Sequence, residues 1–415
     1  MKLDALLSKA RATGALAAAT TLAVGAALLG PACGGTPDGS FQRRTVSNGG
    51  EEVDPTEAFT AEDLRAYMRQ LAPYLVSREL EPEELAAIDE KKFDAIAPML
   101  EAWTKEAAFP RAARRLISQK LSVSGSRDGI DFDLPGNLAE HVAREDLPLS
   151  TILTADYCVD ANGAKRECDT GAPFTAGVLG TRAFMVSRAS RFNLTRASTM
   201  LRAFACQKYP MSEDVEPRIE RSRLIPMFQV DRQADESGAP PDEFGNGTAC
   251  YACHSQFGWH TQLFVRFDAS GLYREDATGL QDPNGELGRS VDGLFASHLQ
   301  DPAEAKTDKS QMLGRAVRDL GEAAKVLAES PMFVPCQVGN LLEYALRLPP
   351  TVEVAKEVVE EIASSAKKGD PPKVTFGSLT VATFSHPRVV AAVVSATNVA
   401  EASSAADQSQ SEGEP

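Results

Sequence analysis

Apolar residues recur at helical spacing along most of this chain, and strand-like alternation is rare. Thr60 and Asp63 have the spacing of a helix start, and apolar residues follow at every third or fourth position from Leu64 to Leu71. Proline and acidic residues over 81–84 predict the start of a second helix. Further helices are predicted over 93–105, 111–121, 138–144, 194–206, 313–328, 338–346 and 351–365. The best predicted strand covers 374–383, so the predicted fold class is mainly α.

Shifts in composition divide the chain into segments. Residues 34–57 are rich in Gly, Pro, Ser, Thr and acids, which predicts a flexible tether. A Gly-, Asp- and Pro-rich break separates a predicted helical N-terminal domain, 58–126, from a larger helical domain, 127–350. Residues 351–399 are predicted to form a C-terminal helical extension. The Ser-, Glu- and Gln-rich residues 400–415 predict a disordered tail.

The first 33 residues have the pattern of a secretory signal peptide. Positive charges at Lys2, Lys9 and Arg11 precede an alanine-rich apolar run, which ends in Pro-Ala-Cys-Gly. That ending is similar to a bacterial lipoprotein cleavage site and predicts a lipid on Cys33. The alternatives are an uncleaved membrane anchor and an ordinary signal peptide with an incidental cysteine. We therefore expect a protein of the bacterial cell envelope, lipid-anchored and facing the periplasm, with the outer membrane favoured over the inner.

The composition narrows the choice of partners. The chain has 415 residues, of which 43% are hydrophobic, enough for one large or two modest cores. It carries 58 acidic against 43 basic residues, a formal net charge of -15. Phosphate binding needs a clustered positive surface, and the sequence has no such cluster. Nucleic acid is therefore not an expected partner.

The stretch Cys250-Tyr251-Ala252-Cys253-His254 has the attachment pattern of a c-type haem. Each thiol adds across one haem vinyl group, and the two-residue spacer lets both sulfurs reach the edge of one porphyrin. His254 then faces the iron as proximal ligand. A zinc ribbon would need a second ligand pair, and a thioredoxin-like pair would need a preceding βαβ pattern. A plain disulfide stays open but leaves His254 without a role, so we expect one covalent haem c.

Four cysteines remain after Cys33 and the haem motif are set aside. An even remainder in an exported protein predicts two disulfides. Cys158 and Cys168 bracket a loop whose central Asn-Gly favours a turn, so they are the natural local pair. Cys206 and Cys336 then form the second pair and enclose the haem region. Four cysteines allow three connectivities, so the pairing itself stays open at this point.

The sixth ligand of the iron has several candidates. Small cytochromes usually take it from a methionine C-terminal to the motif, and Met332 stands in a proline-flanked stretch between two predicted helices. His260 is too close to His254 to reach the opposite face of the haem, and His141 is expected to be a surface or core residue. An iron with no sixth ligand, and therefore five-coordinate, is a further alternative. The other candidates are Met312, Met227, His298 and His386.

Several stretches carry a resemblance to a known family. They are Ala-Gly-Val-Leu-Gly-Thr-Arg at 176–182, the predicted helix at 196–206, Phe-Asp-Ala-Ser-Gly-Leu-Tyr-Arg at 267–274, Phe-Val-Pro-Cys at 333–336, Glu-Tyr-Ala-Leu at 343–346, and 78–85. In them the chain resembles the uncharacterised cytochrome-c-associated domains of planctomycete and myxobacterial type. The resemblance implies haem binding, an extracytoplasmic location and a cytochrome-c-like domain at 127–350. The chain departs from the family at Gly258-Trp259, where Asp-Pro is usual, and at Val265, where Glu is usual.

The function that these features favour is single-electron transfer in the cell envelope, with an unidentified redox partner protein. A non-enzymatic electron carrier is favoured over an enzyme, because no conspicuous acid–base constellation accompanies the motif. Two alternatives come from other functional classes. In the first, the haem is structural or sensory and the protein is a binding module of the envelope. In the second, the protein is a peroxidase-like haem enzyme.

Overall fold

The computed structural model describes residues 59–189, 193–207, 220, 259–275, 310–346 and 355–395. Over this part of the chain the fold is mainly α, as the sequence predicts. The α-helices are α1 Ala61–Leu75, α2 Pro82–Lys91, α3 Ile96–Trp103, α4 Pro110–Leu121, α5 Leu134–Arg144, α6 Thr151–Thr154, α7 Arg182–Ser187, α8 Leu194–Ala205, α9 Leu320–Glu329, α10 Phe333–Leu346, α11 Lys356–Ser365 and α12 Phe376–Phe384.

Short elements connect these helices. The 3-10 helices are Lys92–Ala95, Gly177–Gly180 and Gln262–Phe264. Three two-stranded antiparallel hairpins pair β1 Ser126–Arg127 with β2 Ile130–Asp131, β3 Cys158–Val159 with β4 Lys165–Arg166, and β5 Ser310–Met312 with β6 Arg315–Val317. Each strand has only two or three residues, so the hairpins join helices rather than build a sheet layer.

The predicted start of α1 is confirmed. The Asp63 amide donates to the Thr60 hydroxyl at 3.1 Å, and the Thr60 amide donates to the Asp63 carboxylate at 3.0 Å. This reciprocal pair satisfies two of the amides that every helix N-terminus leaves without an intrahelical acceptor. The apolar face that follows, from Leu64 to Leu71, is buried.

The predicted helix over 313–328 is wrong over 313–319. Leu313 and Gly314 have φ angles of 50° and 80°, which close the β5–β6 hairpin instead of continuing a helix. The helix begins only at Leu320, where the Asp319 carboxylate caps it by accepting from the Glu322 amide at 2.8 Å. The Leu-Gly turn signal and this cap outweigh the apolar periodicity of the segment.

The predicted strand over 374–383 is also wrong, because the segment forms α12. Its β-branched residues are accommodated by hydrogen bonds to their own backbone. Thr380 and Thr383 donate their hydroxyls to the carbonyls four residues earlier, at 2.8 and 2.7 Å. Thr375 caps the helix in a reciprocal pair with Ser378. A helix buried on several sides has little apolar periodicity, so propensity alone favoured a strand.

Helices from both sides of residue 126 share one hydrophobic core. The buried Tyr67 hydroxyl of α1 donates to the Phe384 carbonyl of α12 at 2.8 Å. Gln70 donates to the Leu346 carbonyl of α10 at 2.7 Å, and Arg115 of α4 donates to the Tyr344 hydroxyl at 2.8 Å. Helices α1 and α4 are therefore bonded to α10 and α12.

The predicted membrane-related segments are not part of this description. Residues 1–58, which include the predicted signal peptide, Cys33 and the tether, lie outside the described residues, as does the predicted tail over 400–415. In the part of the chain that is described, no helix has both the length and the apolar character needed to cross a bilayer.

We predict that the two parts separated by residue 126 unfold together. The chain has two tryptophans. Trp103 is buried in the N-terminal helices, where it donates to Glu84 at 2.6 Å, and Trp259 lies beyond the predicted boundary. Trp103→Phe and Trp259→Phe each leave one fluorescent probe. Because the core is shared, we expect each variant to show one urea midpoint by fluorescence that coincides with its own midpoint by circular dichroism. Separate midpoints in one variant would mean independent domains.

Candidate functional site

The haem motif itself lies outside the described residues. After α8 the description continues to Gln207 and then, apart from Glu220, resumes at Trp259. Cys250, Cys253 and His254 fall between these points, as does Met227. His298 lies in another segment outside the description. The structure does describe the two points at which the motif segment joins the fold, and the geometry there can be built residue by residue.

The chain enters the core directly after the motif. The side chains from Thr261 to Val265 are all buried. The 3-10 helix Gln262–Phe264 contacts α8 and α9, and the Phe264 ring lies 6.1 Å from the ring of Phe184 in α7. The C-terminal flank of the motif is therefore fixed by apolar packing.

The stretch 267–274 folds into a turn held by the Asp268 carboxylate. Asp268 accepts from the Ser270 and Leu272 amides, both at 2.9 Å, and from Arg274 Nε at 3.1 Å. Burial by itself raises the pKa of Asp268, but these hydrogen bonds outweigh burial and hold that pKa below its usual value. Gly271 has a φ of +77°, which a residue with a side chain adopts only with strain.

Arg196 of α8 binds this turn to two helices. Its side chain is fully buried, with 0% exposed. Nη1 and Nη2 donate to the carbonyls of Phe267 and Asp268, each at 2.9 Å, and Nε donates to the Met185 carbonyl of α7 at 2.9 Å. Burial lowers the pKa of Arg196 to about 9, against the attraction of Asp268, so the guanidinium is protonated at neutral pH.

The stretch 176–182 packs against the same turn. Arg182 Nε donates to the Ser270 carbonyl at 3.0 Å, and the Tyr273 amide donates to the Thr170 carbonyl at 2.9 Å. At Gly177 a Cβ atom would lie 2.1 Å from the Ile152 carbonyl oxygen, so the backbone approaches α6 as only glycine allows. The 3-10 helix at this glycine is thus packed closely on α6, and Arg182 after it bonds the Asp268 turn.

A disulfide fixes the opposite end of α8, where the motif segment departs. Cys206 is bonded to Cys336 of α10. The buried amides of Gln337 and Asn340 both donate to the Ala203 carbonyl, at 3.0 and 2.8 Å. The second disulfide joins Cys158 to Cys168 beside the β3–β4 hairpin. Both pairs are those that the sequence predicts.

The stretch 196–206, which forms α8 and its C-cap, is therefore bonded to two distant stretches. Arg196 binds it to 267–274 near the N-terminus of α8, and the Cys206–Cys336 disulfide binds it to 333–336 at the C-terminus. The stretch 176–182 is bonded to 267–274 through Arg182. We define α8, α10 and residues 259–274 as the anchoring framework, because both ends of the motif segment join it.

The candidate iron ligands fall in different places. Met332 is 36% exposed at the junction of α9 and α10, and its carbonyl accepts from the Cys336 amide at 2.9 Å. Met332 thus lies one helical turn from the disulfide of the anchoring framework. Met312 is fully buried in β5. His386 lies 3.3 Å from Glu361 of α11, and His141 packs edge-on against Tyr157 with ring centroids 5.7 Å apart.

The anchoring framework contains buried polar atoms without partners. The Gln262 side chain is 0% exposed, yet neither Nε2 nor Oε1 has a hydrogen-bond partner, and the same is true of Arg266 Nε. Leaving a buried donor or acceptor unsatisfied costs about 1–3 kcal/mol. These atoms follow His254 closely in the sequence. Across the described residues, no cluster of three or more His, Cys, Asp or Glu side chains could hold a bare metal ion.

The sequence did not predict that Arg196 binds the Asp268 turn or that Gln262 is buried. In the sequence, Arg196 stands out only as part of a stretch that resembles the family. The available signal was its position four residues before the apolar Met200, which places a charge on the buried side of a predicted helix. No sequence signal marks Gln262, since its burial depends on packing against α8 and α9.

No protein-family model, no curated protein and no solved structure matches this chain.

We predict that the Asp268 turn is stabilised by the charge of its carboxylate. Asp268→Asn keeps the shape but loses the charge, so we expect a loss of about 1–2 kcal/mol of unfolding free energy at pH 7. The folded-state pKa is lowered, so this stabilisation is present above the unfolded pKa of about 3.9 and is lost as the pH falls below it. Urea titrations at pH 7 and at about pH 3.5 measure the change.

The matched control is Asp128→Asn, whose side chain is 85% exposed in the β1–β2 turn. We expect the control to leave the unfolding free energy unchanged at both pH values. An Asp268→Asn effect as large at the lower pH as at pH 7 would contradict the role given to the charge.

Proposed function

We propose that this protein is an exported, lipid-anchored carrier of one covalent haem c that transfers single electrons in the bacterial cell envelope. The observation that carries the proposal is the sequence Cys250-Tyr251-Ala252-Cys253-His254. In it, Cys250 and Cys253 hold the haem through thioether bonds, and His254 binds the iron from the proximal side. The haem supplies one-electron chemistry when bound.

The rest of the chain orients the haem and tunes its surroundings. The anchoring framework fixes the described residues on either side of the motif segment, and a haem held by Cys250, Cys253 and His254 would be carried by that segment. Axial ligation and burial together set the potential of a c-type haem. Met332 is proposed as the distal ligand, because it lies one turn from Cys336 on the helix that the disulfide joins to α8.

Export to an oxidising compartment is supported by two independent features. The first 33 residues have a signal-peptide pattern ending at the proposed lipidation site, Cys33. The four cysteines outside the motif and the lipidation site form two disulfides, which persist in oxidising compartments and are rare in the cytosol. Residues 34–57 are proposed to tether the haem protein to the membrane, with the outer membrane favoured.

Membership of the cytochrome-c-associated family is part of the proposal. It is supported by two contacts that join resembling stretches, from Arg196 to the turn at 267–274 and from Cys206 to Cys336. The redox partner is proposed to be basic, because the chain has a net charge of -15 and exposes Glu357, Glu360 and Glu361 along α11.

We predict that the wild-type protein, produced in a host with periplasmic haem maturation, contains one covalent haem. The expected result is a c-type pyridine haemochrome spectrum and an intact mass increased by one haem. Cys250→Ala with Cys253→Ala should lose both signals, because the thioether bonds cannot form. Cys158→Ser with Cys168→Ser is the matched control, since it removes a cysteine pair outside the motif and should keep the haem.

A wild-type protein without covalent haem would overturn the proposed function. With haem present, a low-spin spectrum and a reversible redox couple support electron transfer. High-spin iron that reacts with peroxide would instead support a peroxidase-like enzyme. A haemless variant that still supports envelope assembly in cells would support a binding module.

We predict that Met332→Ala changes the spectrum of the reduced haem without unfolding the protein. Loss of the sulfur ligand leaves the iron five-coordinate or bound to a weaker ligand. Met332 is 36% exposed, so its removal should cost no more than about 0.5 kcal/mol of stability. Leu272→Ala is the control, since Leu272 is 39% exposed and lies in the Asp268 turn. An unchanged Met332→Ala spectrum would remove Met332 as the distal ligand.

A further inference from the structure

We infer that Asn162, in the turn of the β3–β4 hairpin, is a site of spontaneous deamidation that the folded hairpin suppresses. Deamidation converts the side-chain amide of asparagine into a carboxylate. The reaction needs no enzyme and no co-reactant other than water. The inference concerns the described hairpin alone and is independent of the proposed function.

The chemistry depends on the residue pair Asn162-Gly163. The backbone nitrogen of Gly163 attacks the side-chain Cγ of Asn162, so that a bond from Gly163 N to Cγ forms and the bond from Cγ to Nδ2 breaks. The proton of the Gly163 amide leaves with Nδ2 as ammonia, and a cyclic imide remains. Water then opens the imide at either carbonyl, which gives aspartate or isoaspartate. Glycine hinders the attack least because it has no Cβ.

The turn restrains the attacking nitrogen. Asn162 itself is exposed, so water reaches its side chain. The Gly163 amide, however, donates to the Asp160 carbonyl at 3.0 Å. Attack requires that this amide lose its proton, and that the chain rotate about the bond from Cα to C of Asn162 to bring the nitrogen to Cγ. Both steps break the hydrogen bond to Asp160.

Asp160 fixes the same turn a second time through its carboxylate. Its Oδ1 accepts from the Asn162 amide at 2.8 Å and from the Ala164 amide at 2.9 Å. The Asp160 amide donates in turn to the Ala164 carbonyl at 3.0 Å. Aspartate side chains stabilise turns through such bonds to amides two residues on. The geometry needed for attack is therefore reached only when the turn opens locally.

A covalent bond closes the base of the hairpin. The Cys158–Cys168 disulfide joins residues separated by 10 positions, and Val159 pairs with Lys165 between the disulfide and the turn. Reduction of this disulfide by a dithiol removes a restraint on the open turn. Because the lost ammonia does not return, each opening that leads to attack changes the hairpin permanently. The modification thus depends on the redox state of the cysteine pair.

The test measures the rate of deamidation at Asn162 in the full chain, by peptide mapping and mass spectrometry in a mildly alkaline buffer. The wild-type protein in urea with a dithiol reductant gives the rate of the open chain. In the folded wild type we expect a rate about a hundredfold lower, because the turn must open first. Asp160→Ala removes two hydrogen bonds of the turn, so we expect deamidation about tenfold faster than in the folded wild type. Its helical circular dichroism should stay unchanged.

Two further variants show whether the restraint is the one described. Asp160→Asn keeps an oxygen acceptor at the same position, so it should accelerate deamidation less than Asp160→Ala. Cys158→Ser with Cys168→Ser should also accelerate it, because the base of the hairpin is released.

The matched control is Glu167→Ala. Glu167 is an exposed acid inside the same disulfide loop, and within the described part of the chain no hydrogen bond joins it to the turn. Its replacement should leave the rate at Asn162 unchanged. The inference is overturned by equal rates in the folded and the urea-unfolded wild type, or by an Asp160→Ala rate no higher than that of Glu167→Ala. An unchanged rate in the variant without the disulfide would also overturn it.

Discussion

The buried guanidinium of Arg196 is the interaction on which the framework around the candidate site depends. Four carbonyl or amide oxygens surround it, from α7, from Asn193 before α8 and from the Asp268 turn. A buried cation is costly unless it is bonded, and here the guanidinium donates to all four of these oxygens. The charge is thus stabilised by the same backbone turns whose positions it fixes.

The other end of α8 is fixed by a different kind of bond. The Cys206–Cys336 disulfide joins α8 to α10, and the Gln337 and Asn340 amides reinforce the contact at Ala203. A helix held at both ends is a rigid support, and the motif segment leaves from one end of it and returns beside the other. Rigid support suits a cofactor whose potential depends on fixed ligation and burial.

The residues that follow the motif carry a polar side chain into the core. Apolar packing of Leu263 and Phe264 buries Gln262, whose amide has no hydrogen-bond partner among the described residues. An unsatisfied buried amide is a local cost to folding.

The sequence by itself determined the features that depend on local chemistry. The Thr60–Asp63 cap, the helix start at Pro82 and the mainly α class follow from short-range patterns, because helix capping and periodicity act over a few residues. The pattern Cys250-Tyr251-Ala252-Cys253-His254 is also local, and haem attachment stays a prediction from it. The same local reading failed at 313–317 and 374–383, where a left-handed Leu-Gly turn and threonine back-bonding replaced the predicted elements.

Only the tertiary structure decided which distant residues act together. The contact of Arg196 with Phe267 and Asp268 spans more than seventy positions, and no periodicity encodes it. The bonding of α1 and α4 to α10 and α12, across the predicted boundary near 126, depends on complementary surfaces that form only when the chain collapses. Burial of Gln262 likewise arises from its neighbours and not from its own sequence. Local physics selects the elements, while packing selects their partners, because burial is a property of the assembled core.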